Sequence, residues 1–200
     1  MNKEFVIIGA SGHAKVIIEI IEEMNGRIVD VIDTNPLISS ILGYQVKHQP
    51  IYSAPVIVAI GNNQIRNKVV NSISADFAVA IHPKAIISKT CKVQVGTVIM
   101  GGATINAESV IGKHCIINTN ASIDHDCIIS NFVHISPNAS VAGNVEVGEG
   151  THIGIGSTII QGIKIGKWAT IGAGTVILSD VPDHAVVVGV PGKTIKYNKE

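Results

Sequence analysis

The sequence is poor in aromatic residues and in charge of either sign. Of its 200 residues, 4% are aromatic and 15% are charged, and 15 basic residues balance 15 acidic ones. Without a basic block, the chain lacks the electrostatic surface by which proteins bind nucleic acids or anionic membranes. Cysteine is scarce too: Cys91, Cys115 and Cys127 form no CxxC pair, which argues against a disulfide framework and against a metal site.

Long hydrophobic runs are also missing. The apolar start of the chain meets glycines almost at once and is too short for a signal-peptide core or a membrane span, so we expect a cytoplasmic protein. Glycine is plentiful, with 20 residues, and isoleucine and valine are abundant. Many small and β-branched residues with few rings predict a structure of closely repeated layers.

A six-residue repeat fills the second half of the chain. Every sixth residue from Ile81 to Ile177 is isoleucine or valine, and the residue four positions after each of these is small in most repeats. This period fits neither an α-helix nor an alternating hairpin, but it is typical of a triangular β-helix in which three hexapeptides make one coil. The three cysteines fall on the small, inward-facing positions, which favours a packing role for them. We expect sister subunits to cover the apolar outer faces, in a homotrimer.

The first third predicts a small Rossmann-like α/β domain. Residues 4–9, 27–32 and 55–60 form apolar runs typical of buried strands, and helical patterns follow the first and the third of them. Strands alternating with helices predict a parallel sheet. The loops at the carboxyl ends of such strands share one ligand crevice, where we expect a nucleotide.

Three loops contribute to that crevice. The first runs from Gly9 to His13, the second contains Asp33, and the third contains Gly61 and Asn62. The first loop lacks the remaining glycines of the dinucleotide fingerprint, which disfavours a redox dinucleotide. Taken alone, its glycines are explained equally well by a tight strand-to-helix turn.

These patterns divide the chain into three segments. We expect an α/β nucleotide-binding domain over residues 1–78, a β-helix over residues 79–179 and a capping segment over residues 180–200. Within the last segment, Pro182 breaks the six-residue period, and an apolar strand beginning at Ala185 is placed to cover the open edge of the last coil.

Four features together resemble a known family: Gly-Ala-Ser-Gly-His at 9–13, Ala-Ile-Gly-Asn-Asn at 59–63, the unbroken hexapeptide array, and Val-Gly-Val-Pro-Gly-Lys at 188–193. The chain is similar, over nearly its whole length, to the bacterial sugar O- and N-acyltransferases that include bacillosamine-pathway and sialic-acid acetyltransferases. The resemblance implies a left-handed parallel β-helix that binds acetyl-CoA between the subunits of a trimer. It also implies that the amino-terminal domain holds the nucleotide of an acceptor sugar. We expect no metal, because no pattern of supporting residues accompanies the histidines.

The resemblance further implies roles for individual residues. His125 matches the catalytic base and Asp126 the acid beside it, a position where close relatives commonly carry glutamate. Acetyl-CoA contacts are expected at His134, Gly143, Ile155, Gly172 and Gly174. Nucleotide-sugar contacts are expected at Ser11, Gly12, His13, Asp33, Gly61, Asn62, Arg66 and Asn118.

The chemistry suits these assignments. An amine that attacks a thioester must lose a proton, and a histidine with a pKa near neutrality can accept it. Asn118 or backbone N–H groups are candidates to stabilise the oxyanion. Packing explains His134 equally well, and His13 could simply cap the start of the first helix. Trp168 is explained either by stacking on a ligand or by packing beneath the carboxyl-terminal segment.

The leading prediction is N-acetylation of the 4-amino group of a nucleotide-linked 4-amino-4,6-dideoxy sugar, UDP-linked according to the resemblance. The alternative enzyme is an O-acetyltransferase of sialic acid or a related sugar, which would also use His125. A non-catalytic β-helix that binds a sugar nucleotide would not need the pair of His125 and Asp126. A metalloenzyme like the γ-carbonic anhydrases would bind zinc through histidines of neighbouring subunits, and we expect no zinc.

Overall fold

The computed structural model describes residues 3–199; residues 1, 2 and 200, which the predicted first and last segments include, lie outside the described part. The amino-terminal domain is a five-stranded sheet with the order β3-β4-β2-β1-β5. Its strands are β1 (Glu4–Ile8), β2 (Arg27–Ile32), β3 (Ser40–Ile41), β4 (Tyr44–Lys47) and β5 (Val56–Val58), and its helices are α1 (Gly12–Glu23) and α2 (Asn63–Ser72). All neighbouring strands pair in parallel except β3 and β4.

Both faces of this sheet are buried, as its apolar strands predict. Phe5 and Ile7 point to the side of α1, where they pack with Ile17 and Ile21 in one core cluster. The same cluster includes Val98, Met100 and Ile116 of the repeat array, so the domain packs against that array. The opposite face, with Val6 and Val58, packs against Val70 of α2.

The repeat array is a β-helix with three flat sides, which confirms the predicted fold class. Within residues 3–199, seventeen strands of two residues each form three parallel sheets. Sheet I contains β6 (Ala80–Ile81), β9 (Val98–Ile99), β12 (Ile116–Ile117), β15 (His134–Ile135), β18 (His152–Ile153) and β21 (Thr170–Ile171). Sheet II contains β7 (Ile86–Ile87), β10 (Thr104–Ile105), β13 (Ser122–Ile123), β16 (Ser140–Val141), β19 (Thr158–Ile159) and β22 (Val176–Ile177). Sheet III contains β8 (Lys92–Val93), β11 (Val110–Ile111), β14 (Ile128–Ile129), β17 (Glu146–Val147) and β20 (Lys164–Ile165).

Each strand pairs with the strand one coil further along the chain. Ile99 pairs with Ile117, and Ile117 pairs with Ile135, so isoleucines stack directly on one another in the interior. All three residues are fully buried. Burial of an isoleucine side chain stabilises the fold by about 1.5–3 kcal/mol. Ladders of this kind, repeated on three sides, form the continuous core that the six-residue period predicts.

Four-residue corners join the sheets. We call them the I/II corner (for example residues 136–139), the II/III corner (residues 124–127) and the III/I corner (residues 130–133). The third residue of many corners has a positive φ, which a glycine or a short polar residue adopts most readily. At the II/III corner these residues include Asp126 (φ 59°) and Asn144 (φ 58°).

A hairpin closes the carboxyl end of the array. Strand β23 (Ala185–Val188) pairs in parallel with β21, as the apolar run after Pro182 predicts. A further strand, β24 (Lys193–Tyr197), pairs antiparallel with β23 and is exposed along its length. The hairpin therefore extends sheet I beyond the last coil.

Candidate active site

His125 lies on the II/III corner, between β13 and β14, with 60% of its side chain exposed. Its Nδ1 is 2.7 Å from Oδ2 of Asp126. A carboxylate can only accept, so Nδ1–H donates this hydrogen bond, and in the neutral ring Nε2 is left free to accept a proton. The hydrogen bond to Asp126, followed by the charge of Asp124, raises the pKa of His125 above its ordinary value. The corner thus presents a fixed, solvent-facing base.

Gly143 lies directly below this base, one coil further along. A Cβ atom at position 143 would stand 2.7 Å from Cε1 and 2.8 Å from Nε2 of His125, closer than atoms can pack. Any larger residue would push the imidazole from its place. Gly143, which the sequence analysis assigned to acetyl-CoA, therefore leaves the room that the His125 ring occupies.

The loops of the amino-terminal domain meet at the carboxyl edge of its sheet, as predicted from the strand order. Oδ2 of Asp33 accepts a hydrogen bond from the main-chain N–H of Ala10 at 2.7 Å, and Oδ1 accepts one from Asn35 at 2.8 Å. Asp33 thereby ties its own loop to the glycine loop. Ser11 and Gly12 in that loop are exposed.

His13 and Asn62 line the same edge. The Oδ1 atom of Asn62 accepts a hydrogen bond from the N–H of Ile65 at 2.9 Å and so caps α2. Burial, with a smaller contribution from the charge of Arg66, lowers the pKa of His13 to about 4. His13 is therefore neutral at physiological pH.

Arg66 corrects one of the sequence predictions. Its side chain is 1% exposed, and the protein takes up all of its guanidinium N–H groups. The acceptors are the carbonyls of Ile60, Gly61, His114 and Phe132 and Oδ1 of Asn63, at 2.9–3.2 Å. A guanidinium has five donors, so none is left for a ligand. Arg66 holds the Gly61 loop and α2 to the β-helix, and the predicted nucleotide-sugar contact for it is wrong.

Asn118 and His134 form a polar pair on the same side of the molecule. Nδ2 of Asn118 lies 3.0 Å from Nε2 of His134, and the His134 ring stacks on His152 with centroids 4.9 Å apart. Burial, followed by the neighbouring His152, lowers the pKa of His134 to about 3, so the ring is neutral. His134 and His152 line a cavity of about 520 Å³ with Gly61 and Asn62. Within one chain, His134 thus lies with the predicted nucleotide residues.

The other positions predicted to contact acetyl-CoA do not form one pocket in a single chain. Ile155, which is 58% exposed, lies with Gly172 and Gly174 on the I/II corner, whereas Gly143 is on the II/III corner. Sheet II separates the two corners. Its outer surface carries the uncharged column Thr104, Ser122, Ser140 and Thr158.

Comparison with known proteins shows which family has this architecture. Two family models match the chain: the PglD N-terminal domain over residues 4–73, and six repeats of the bacterial transferase hexapeptide over residues 144–179. A variant of perosamine N-acetyltransferase from Caulobacter crescentus, solved in complex with CoA and GDP-perosamine, is 35% identical. The similarity covers 96% of this chain and 97% of that one, with a TM-score of 0.93. The chain belongs to the hexapeptide-repeat sugar acetyltransferases.

Two further solved structures share this fold. The acetyltransferase domain of PglB from Neisseria gonorrhoeae, in complex with acetyl coenzyme A, is 33% identical over 98% of this chain and 100% of that one, with a TM-score of 0.89. WeeI from Acinetobacter baumannii shares the fold at 23% identity, with a TM-score of 0.88. No curated protein sequence matches the chain at a significant level.

Sequence reasoning missed several residues that shape the site of this acetyltransferase. Asn63 donates to the carbonyls of Gly150 and Thr151 at 3.0 and 3.2 Å and thus joins α2 to the β-helix. Nε2 of His152 lies 2.8 Å from Oγ of Ser136, which continues the polar row that begins at Asn118. Polar residues recur here at a spacing of 18 residues, which is one full coil. This spacing in the sequence could have predicted the row.

Within residues 3–199 of the acetyltransferase, neither helix has the length and the apolar character of a membrane-spanning segment. In the same residues, no group of three histidine, cysteine or acidic side chains is arranged to hold a metal ion.

Proposed function

We propose that the protein transfers the acetyl group of acetyl-CoA to the 4-amino group of a nucleotide-linked 4-amino-4,6-dideoxy sugar, with His125 as the general base. The observation that carries this proposal is the exposed imidazole of His125, whose Nδ1–H is fixed by Asp126 at 2.7 Å and whose Nε2 is free. Histidine in this state suits the removal of a proton from an attacking amine.

The reaction proceeds by direct attack. The amine nitrogen forms a bond to the thioester carbonyl carbon, and its proton passes to Nε2 of His125. The tetrahedral intermediate collapses as the C–S bond breaks, and the departing sulfur takes the proton from the His125 imidazolium, so that CoA leaves as the thiol and the base is regenerated. Asp126 holds the ring and balances the positive charge that the imidazole acquires. A cysteine nucleophile is not used: Cys127 is buried, and burial raises the pKa of its thiol.

The site is composed of two subunits. Sheet II is flanked on one side by the corner of His125 and on the other by the corner of Asn118, and the middle of its outer column carries hydroxyl side chains between Ile86 at one end and Val176 at the other. If sheet II of three chains faces a common axis, the II/III corner of each chain meets the I/II corner of the next. His125 of one subunit then lies opposite Asn118 and the nucleotide crevice of its neighbour. Acetyl-CoA binds in the groove between them, which the resemblance also implies.

The proposal also specifies which nucleotide the acceptor sugar carries. The sequence resemblance favours a uridine nucleotide, whereas the Caulobacter crescentus structure contains GDP-perosamine. Both are nucleoside diphosphates and present the same pyrophosphate to the glycine loop and the start of α1. We propose a UDP-linked sugar and include its GDP-linked counterpart in the test.

A thiol-release assay tests the function. The protein is mixed with acetyl-CoA and with UDP-, GDP- or dTDP-linked 4-amino sugars, and free sialic acid is assayed alongside. We expect CoA release with one nucleotide-linked amine and an amide product by mass spectrometry. Release with sialic acid alone would replace the proposal with O-acetylation, and release with none of these acceptors would reject it.

A further inference from the structure

Asp124, which precedes the proposed base, is held from two directions. Its Oδ1 accepts a hydrogen bond from the main-chain N–H of His125 at 2.9 Å and another from Nδ2 of Asn106 at 2.8 Å. Asn106 stands at the same place one coil earlier, 18 residues before Asp124. Among residues 3–199, no side chain or main-chain group donates to Oδ2. One oxygen is therefore anchored while the other remains open.

Asp124 lies beside a cavity on the outer surface of sheet II. Asp124 and Asn106 line this cavity of about 320 Å³ together with the small side chains of Ser122, Ser140 and Ala142. Ala142 is the immediate neighbour of Gly143, which supports the His125 ring. The carboxylate thus belongs to the same surface as the base and stands where a ligand can reach it.

Few other charges face His125. Its own corner supplies Asp124 and Asp126, and the corner one coil earlier supplies Glu108, with Lys89 one coil before that. The strands on either side of the corner, β13 and β14, are uncharged, and so is the following corner, residues 142–145. The imidazole is therefore bracketed by two carboxylates of its own corner, and Lys89, two coils away, is the cation in this column of corners.

We propose that Asp124 is a positioning residue for His125: it anchors the main chain of the base and keeps a second negative charge beside the imidazole. This inference rests on the proposed function. The imidazole becomes positive when it takes up the proton of the amine, and carboxylates on both sides stabilise that charge. The charge of Asp124 already contributes to the raised pKa of His125, second to the hydrogen bond that His125 donates to Asp126.

The test replaces the charge and keeps the shape. In Asp124→Asn, the amide oxygen still accepts from the N–H of His125, but the negative charge is gone. We expect an NMR titration of the ring, assigned by its absence in His125→Ala, to give a lower pKa for His125. The acid limb of the pH profile of kcat/KM should move to lower pH, because a weaker base loses its proton at lower pH. Plateau kcat should fall by roughly threefold to tenfold.

Two further variants make the result decisive. Glu108→Gln removes a carboxylate from the same corner one coil away and should leave both the titration and the rate as they are. Asn106→Ala frees the Asp124 carboxylate and should move the pKa of His125 in the same direction as Asp124→Asn, by less. If circular dichroism shows that Asp124→Asn does not fold, Asn106→Ala provides the test in its place.

An unchanged titration of His125 in Asp124→Asn would overturn the proposal, as would an equal shift in Glu108→Gln. The titration requires no substrate. A shifted pKa in a protein that acetylates no acceptor would therefore support the electrostatic role of Asp124 and reject the proposed function, so the two failures are distinguishable.

Discussion

At the scale of single residues, the site depends on a few atoms whose neighbours are fixed by the coil. His125 has its donor nitrogen on Asp126, its main-chain N–H on Asp124, and Gly143 beneath its ring. Each of these contacts reaches the base from a different direction. Substitutions here should change the rate of the reaction far more than the stability of the fold.

The base itself gives the largest expected effect. His125→Ala should lower kcat by roughly two to four orders of magnitude, because the attacking amine then loses its proton acceptor. The exposed side chain contributes little to packing, so the melting temperature and the oligomeric state should be retained. Steady-state kinetics with size-exclusion chromatography measures both; a rate close to that of the natural protein would remove His125 from the mechanism.

Gly143→Ala tests the space under the ring. The added methyl group would stand 2.7 Å from Cε1 of His125, so the imidazole must turn away from its place. We expect kcat to fall by roughly tenfold to a hundredfold, since small displacements of a reacting group are costly. Gln161→Ala, one coil further along the same column, is the matched control and should retain activity. Equal losses in the two variants would show that the effect is not due to the ring.

At the scale of elements, the junction between the α/β domain and the β-helix is a buried polar layer. His114 lies between the rings of Phe77 and Phe132, with centroids 4.6 and 5.2 Å away, and is 4% exposed. Arg66 donates to its carbonyl at 2.9 Å. This layer joins α2, the Gly61 loop and the III/I corner into one unit.

The junction makes stability sensitive to acid. Burial lowers the pKa of His114 and His13 to about 4 and that of His134 to about 3, from an ordinary value of 6.5. Between those values the unfolded chain binds more protons than the folded one, so stability is fully present above pH 6.5 and falls as the pH drops toward 3. Urea denaturation from pH 7.5 to 4.5 should show a falling midpoint. A flat profile in the natural protein would contradict the burial of these rings, and a shallower slope is expected in His114→Phe.

Much of the element structure could be predicted from the sequence, because periodicity is an averaged signal. The stack of inward isoleucines needs only the six-residue spacing, and β1, α1 and β2 need only apolar runs and turn residues. The β3–β4 hairpin was missed because its two-residue turn is Leu42-Gly43, both with positive φ. Leucine is a rare choice there, where asparagine or aspartate normally marks the turn.

Individual site residues were harder to predict. His125 and Asp126 are adjacent in sequence, so the contact between their side chains could be predicted. Arg66 was misassigned because a charged side chain in the first turns of a helix after a strand-to-helix loop suggests a ligand. Only the fold shows that carbonyls of two distant corners, at His114 and Phe132, join the acceptors that its own segment supplies. Burial of that kind is set by tertiary contacts that no local pattern records.

At the scale of the whole molecule, one chain holds two halves of a site that face in different directions. His125 lies on the II/III corner, whereas Asn118 and the nucleotide loops lie toward sheet I. The proposed trimer brings the two halves together across each interface. Activity should therefore belong to pairs of neighbouring chains.

Mixed trimers test this directly. His125→Ala and Asn118→Ala chains, each poorly active alone, are co-expressed with different tags and purified through both. An interface that pairs an intact His125 with an intact Asn118 should regain activity, giving up to about one third of the natural rate per trimer. If both residues act within one chain, the mixed trimers will be no more active than their parents.

The 18-residue register of the coils also bears on how such a protein can change in evolution. An insertion of six residues between Asp126 and His134 would keep every isoleucine inward, and the fold would accept it. Yet each side chain beyond the insertion would rotate onto the next face, so that His134 would no longer share a side with Gly61. Only insertions or deletions of a whole coil of 18 residues keep each side chain on its own side of the β-helix. Even these change the distance between His125 and the carboxyl-terminal hairpin. If His125 and His134 act as proposed, we expect catalysis to fix the number of residues between them, in a stretch where folding alone would tolerate several lengths.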